Sequence, residues 1–232
     1  AGDVLGGNMR LAAYPPGKGD ITNMIRSYIH RCQKDGVKIV MNCEVTPELI
    51  KEEKPDSVII ATGSKTLILP IEGIDNPAII HGSDLLDGKR AVGKKVLVVG
   101  GGMVGCETAA FLGEQEHDVT VIEFRDTVGA DVIHEHRVYL MKDFEDYGIK
   151  EITGAKVCKF YEDGVEYETA DGVRHETRGY DSVILSMGFC NYNPLEEKIK
   201  DLVPETHVIG DAIRARRALD ATKEAYEVAS RL

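Results

Sequence analysis

The strongest constraint on this chain is the stretch from Lys95 to Glu123, KVLVVGGGMVGCETAAFLGEQEHDVTVIE. Val96 to Val99 is an unbroken apolar run, which fits a strand buried on both faces of a parallel sheet. Gly100, Gly102 and Gly105 follow at once in the spacing G-x-G-x-x-G. Residues 107–114 read as a helix, and Asp118 to Ile122 as a second strand ending on Glu123. Each part has a physical task. Gly100 allows the sharp strand-to-helix turn, Gly102 lets the backbone approach a pyrophosphate, and Gly105 lets helix and strand pack closely. Unpaired N–H groups of the first helical turn and the positive end of the helix dipole then face the phosphates. Met103 and Val104, between the second and third glycines, belong to the same candidate site. Glu123 lies 23 positions after Gly100, near the roughly 20 expected of a carboxylate that binds ribose hydroxyls.

That carboxylate favours NAD(H), because it repels a ribose 2′-phosphate. Arg125, two residues on, leaves NADP(H) open. An ordinary tight turn with a surface glutamate is the plainer alternative. The full order of strand, glycines, helix, strand and acid argues against it.

Charge and cysteine usage narrow the partners. A formal net charge of −11 speaks against nucleic acid or an anionic membrane surface. No apolar run approaches the roughly 18 residues of a membrane span, and no signal pattern opens the chain, so a cytoplasmic location is expected. The five cysteines are scattered, with no C-x-x-C, which supports neither a redox disulfide nor a zinc or iron–sulfur site. Reduced thiols are expected. Cys106, at the start of the glycine-loop helix, is either a reactive thiol or a packed one, and packing is favoured.

Taken in order, the chain begins with a Gly6-Gly7 turn and a Pro15-Pro16-Gly17 loop. A helix capped by Asp20 is expected over residues 21–34, with Ile21, Met24, Ile25, Tyr28, Ile29 and Cys32 on one face. A strand over 37–41, a short helix after Thr46 and an apolar strand over 57–61 follow. The last runs into Ala61-Thr62-Gly63, a small-residue turn at a strand's carboxyl end, where α/β sheets place ligands. Residues 64–77 read as an irregular crossover, 78–80 as a short strand and 83–86 as a helical turn. After Glu123 a helix is expected over 132–147, carrying His134 and His136. Two residues apart, they point to different sides, so solvation explains them better than a metal. Residues 157–178 alternate between turns at Asp163-Gly164 and Asp171-Gly172, as in an antiparallel meander. A buried strand over 181–186 meets Met187-Gly188, and a strand over 207–209 enters Gly210-Asp211. A closing helix over 216–232 presents Leu219, Thr222, Tyr226 and Ala229. The charged run 196–200 reads as a solvated face. The whole is an α/β fold, a doubly wound parallel sheet of Rossmann-like type with an antiparallel three-stranded meander.

The motifs LGG at the start, AAYPPGK, ATG at 61–63, VVGGGMVGCE, the meander and VIGDA at 208–212 stand in the order of the two-dinucleotide flavoprotein reductases. The chain most resembles the C-terminal region of the NADH:flavin oxidoreductase group, which includes 2,4-dienoyl-CoA reductase, enoate reductase and trimethylamine dehydrogenase. LGGNMRLAAYPPGKGDI is the most specific segment. The resemblance implies an NAD(P)H-binding domain over 66–187, inserted between two pieces, 1–65 and 188–232, of an FAD-binding domain. Gly188 would then lie beside the nicotinamide, and Gly7, Thr62, Gly63, Gly210 and Asp211 would line FAD. The implied chemistry is hydride transfer from NADH to FAD, with the protein supplying proximity and orientation.

In that group a glycine-rich FAD-binding turn precedes the LGG, and an N-terminal barrel carries FMN, an iron–sulfur cluster and the substrate site. None has a counterpart in this sequence. The expectation is therefore a fragment of a larger reductase that binds NADH, holds FAD weakly or not at all, and is inactive alone. No catalytic or metal-ligating residue emerges. An adenine-nucleotide module holding ADP without turnover is one alternative. A methyltransferase-like fold is another, disfavoured by ATG, the meander and the late Gly-Asp.

Overall fold

The computed structural model describes residues 2–232. The chain forms two compact units: Ala1–Arg10 with Ile21–Lys65 and Phe189–Leu232, and Leu11–Asp20 with Thr66–Gly188.

The second unit is built on a five-stranded sheet in the order Ile80–His81, Ser182–Leu185, Lys95–Val99, Asp118–Ile122, Lys150–Ile152. Every neighbouring pair is parallel. Its centre explains the unbroken apolar runs. Val96 and Val98 pack with Cys106, Ala109, Ala110 and Leu112 of the Met103–Glu114 helix, and with Leu140 and Phe144 of the His134–Asp146 helix. Leu97 and Val99 point the other way, into a cluster with Val157, Phe160 and Val165. All four central residues are 2% exposed or less. At about 1.5–3 kcal/mol for each large apolar side chain removed from water, this strand is a main anchor of the unit.

The face away from those two helices is covered by the antiparallel meander Lys156–Tyr161, Gly164–Glu168, Arg174–Thr177. The parallel sheet and the three-stranded meander are thus as the sequence pattern implies. The glycine-loop helix begins at Met103, four residues before its expected start, so that Gly105 lies inside it.

The first unit holds a two-stranded parallel sheet, Ser57–Ile60 with Glu205–Val208. Its core gathers Ile50, Ile60, Leu195, Ile199, Val203 and Ala212. The Asp20–Lys34 helix forms as expected, with none of its residues fully buried. The Pro47–Glu53 helix is capped by Thr46, whose side chain accepts from the Leu49 amide at 3.3 Å.

Four expectations are corrected. Residues 37–41 are not a strand. Val37, Ile39 and Val40 are exposed, and the Ser57–Ile60 strand has only Glu205–Val208 as its partner among the described residues. β-Propensity without a neighbouring ladder does not make a strand. The nominally irregular crossover opens with a short strand, Ser64–Thr66, paired with Phe189–Asn191. The run 196–200 is solvated except for Ile199, which is fully buried. The closing helix, Ala218–Ala229, turns a different face inward: Leu219 and Tyr226 are 77% and 75% exposed. The inner side instead carries Ala221, close to Gly210, and Glu224, which accepts from the Gly210 amide at 2.7 Å.

Among the described residues, no helix is long and apolar enough to cross a membrane.

Candidate functional site

The carboxyl end of the Lys95–Val99 strand opens on a cavity of about 300 Å³. Its wall contains Gly100, Gly102, Met103, Val104, Glu123, Arg125 and Gly188 from the residues the sequence singled out. Gly105 is not on that wall. It sits behind it, where an added Cβ would lie 1.7 Å from the Gly100 carbonyl oxygen. Its task is contact between helix and strand end, which holds the loop in shape.

Gly100 is fixed by two constraints. Its φ of +105° is costly for an L side chain, and a Cβ there would meet the Ser186 carbonyl oxygen at 2.4 Å. Gly102 is the N-cap of the helix and supplies no capping side chain. The first-turn amides therefore depend on partners from elsewhere.

Asp131 provides one for the first helical residue, and Glu123 holds the glycine loop just before the N-cap. Glu123 accepts from the Gly101 amide at 2.6 Å through one oxygen and from the Arg125 amide at 3.0 Å through the other. A carboxylate has about four acceptor positions, so capacity for ribose hydroxyls remains. Asp131 accepts from the Met103 amide at 2.9 Å.

Phe124, Asp131, Ser186 and Met187 also line the cavity, and sequence reading missed all four. Phe124 is 68% exposed beside the acid, as an aromatic platform would be. Its position directly after the strand-ending acid was the available signal. Ser186 is buried, and its hydroxyl has no hydrogen-bond partner among the described residues. Asp131 had no local signal, because its role depends on a loop folding back over 28 residues of separation.

Two residues past Gly105, Glu107 is 6% exposed. One of its oxygens pairs with both the Lys18 ammonium and His136 Nε2. Lys18 comes from the PPGK segment. His136 is therefore not a purely solvated histidine, contrary to expectation. A buried carboxylate left without its partners is strongly destabilising, so this set fixes the helix start against the PPGK segment.

In the first unit, Thr62 donates its hydroxyl to the Tyr192 carbonyl, and the Gly63 carbonyl accepts from the Tyr192 amide at 3.0 Å. Ser64 Oγ donates to Asp211 at 3.0 Å and accepts from Asn8 Nδ2 at 3.2 Å. The other Asp211 oxygen takes the Arg216 amide. These bonds tie the ATG turn, the segment beside Gly7 and the Gly210-Asp211 turn to one another. Asn8, Ser64 and Tyr192 are the members the sequence did not mark.

All five cysteines are free. Burial pushes the Cys106 thiol up to about 12, and its Sγ donates to the Gly101 carbonyl at 3.2 Å. The position is one of packing. Thiol titration of the native chain at pH 8 should leave Cys106 unmodified until the protein is denatured. Rapid labelling mapped to Cys106 by mass spectrometry would contradict this.

A parallel sheet with a strand–glycine–helix turn opening on a cavity, backed by an antiparallel meander, is the arrangement of a Rossmann-like nucleotide-binding module. The model of the pyridine nucleotide-disulphide oxidoreductase family matches residues 17–207, and the chain belongs to that family. It is 30% identical over 231 residues to a cinnamate reductase of Clostridium sporogenes, covering 98% of this chain and 34% of that protein. An NADH oxidase of Thermoanaerobacter brockii is 32% identical, over 97% of this chain and 35% of that one. Among solved structures, a 2-naphthoyl-CoA reductase in complex with 2-naphthoyl-CoA superposes with a TM-score of 0.93 at 31% identity. It covers all of this chain and 35% of its own. The chain thus spans about a third of the length of these relatives.

Proposed function

We propose that this chain is the pyridine-nucleotide and flavin module of a larger reductase of the NADH:flavin oxidoreductase group. In this reading the unit containing Thr66–Gly188 binds NADH, and the Asp211 turn of the other unit belongs to an FAD site. The observation that carries it is the helix start at Gly102 and Met103 and the Glu123 carboxylate on the wall of one cavity, whose loop needs Gly100. The cinnamate and 2-naphthoyl-CoA reductases among its relatives support an assignment to reduction of unsaturated acids or thioesters by the whole protein. The remaining two-thirds of such relatives would hold the FMN, iron–sulfur and substrate-binding barrel.

Bound flavin would supply the acceptor for a hydride from the nicotinamide. This chain's residues would hold the diphosphate at the glycine loop, the ribose at Glu123 and the nicotinamide end near Gly188. FAD should be held weakly. Among the described residues the first unit has a two-stranded parallel sheet and no second glycine-rich strand-to-helix turn to seat a flavin pyrophosphate.

Titration of the chain with NADH, NADPH and ADP, with and without added FAD, tests each part. NADH should bind more tightly than NADPH and than ADP, and flavin should not co-purify near one equivalent. Equal affinity for NADH and ADP would favour an adenine-nucleotide module without turnover. A full equivalent of flavin would overturn the weak-FAD reading.

A further inference from the structure

Resting on the coenzyme site just proposed, the geometry points to Asp131 as a built-in anion: its carboxylate occupies the helix start, and the coenzyme diphosphate must displace it. Asp131 Oδ1 accepts from the Met103 amide, the first residue of a 12-residue helix with no capping side chain of its own. Its other oxygen lies 3.2 Å from where a Gly102 Cβ would be built. The space that Gly102 keeps open for a phosphate is thus the space this carboxylate borders. A dipole end and exposed amides attract either anion, and two anions there repel each other. Asp131 itself lines the cavity, beside Gly102, Met103 and Glu123.

The loop that carries Asp131 is pinned on both sides. The Gly129 amide donates to the Gly101 carbonyl at 2.7 Å. Arg137 holds Thr127 and the Val128 carbonyl, and Val128 and Val132 are buried. Displacement is therefore a side-chain rotation rather than a loop opening. The cost is that of removing a helix cap, and it appears directly as weaker apparent affinity, since only the fraction of molecules with the carboxylate turned away can bind. Asp131 is a gatekeeping residue that selects for an anion strong enough to compete, which a diphosphate is and a neutral nucleoside is not.

Isothermal titration of NADH and of adenosine into the wild-type chain, Asp131→Ala and Asp131→Asn tests this. Asp131→Ala should bind NADH about three- to tenfold more tightly, while its affinity for adenosine stays unchanged. Asp131→Asn, which keeps an acceptor but loses the charge, should fall between. The same Asp131→Ala chain should melt about 2–4 °C lower, because the helix loses its cap. Tighter binding with lower stability is a combination that a merely structural role cannot give. Equal or weaker NADH binding by both variants, with the wild type binding normally, overturns the role of Asp131 alone. Absence of NADH binding in all three chains overturns the coenzyme reading and this inference with it.

Discussion

Replacing Gly105 with alanine is expected to destabilise the sheet-and-helix unit by about 3 kcal/mol and to abolish measurable NADH binding. The added methyl would stand 1.7 Å from the Gly100 carbonyl oxygen, a backbone atom that no side-chain rotation can move away. Helix and strand end must separate, and both belong to a dense core: Cys106 and Ala109 behind the helix start and Val98 in the strand are all 0% exposed. Interiors packed to that density shift little, so the strain is paid in stability. For a chain of this size the melting temperature should fall by roughly 6–12 °C. Gly19→Ala is the control, since nothing lies within 4 Å of its added methyl and its φ is not positive. It should stay within about 0.5 kcal/mol of the wild type. A Gly105→Ala chain that melts like the Gly19→Ala chain would mean the close approach is not real.

Glu123→Ala should weaken NADH binding by roughly ten- to hundredfold while changing NADPH binding much less. Hydrogen bonds to a charged acceptor contribute about 1.5–3 kcal/mol, and the ribose hydroxyls of NADH would lose theirs. NADPH carries a 2′-phosphate that the carboxylate repels, so removing the charge relieves repulsion as it removes an acceptor. The two changes oppose each other for NADPH and not for NADH. The Gly101 amide also loses its 2.6 Å partner, which loosens the glycine loop for both coenzymes. Glu123→Gln separates the effects: it keeps an acceptor for that amide and the hydroxyls but drops the charge. It should narrow the NADH preference while keeping the loop intact, read as the ratio of the two dissociation constants. An unchanged ratio in both variants would place coenzyme discrimination elsewhere, with Arg125 and Phe124 on the same wall as the next positions to test.

By itself, the sequence determined the parts whose cause is local. Four consecutive apolar residues, three spaced glycines and a strand ending on an acid leave few conformations open, and each did what its chemistry requires. The meander was equally legible, because Asp-Gly turns and two-residue alternation need no distant partner to be recognised. Tertiary structure decided what depends on neighbours. Residues 37–41 have strand-like side chains but no ladder beside them, and stay irregular. The closing helix turned Ala221 and Glu224 inward, with Glu224 accepting from the Gly210 amide, and left Leu219 and Tyr226 exposed. Lys18 met Glu107 across 89 residues, and Asp131 reached the Met103 amide across 28. Periodicity reports which side of an element is apolar. It cannot report which distant charge will arrive at an unpaired amide, because that is set only when the chain closes on itself.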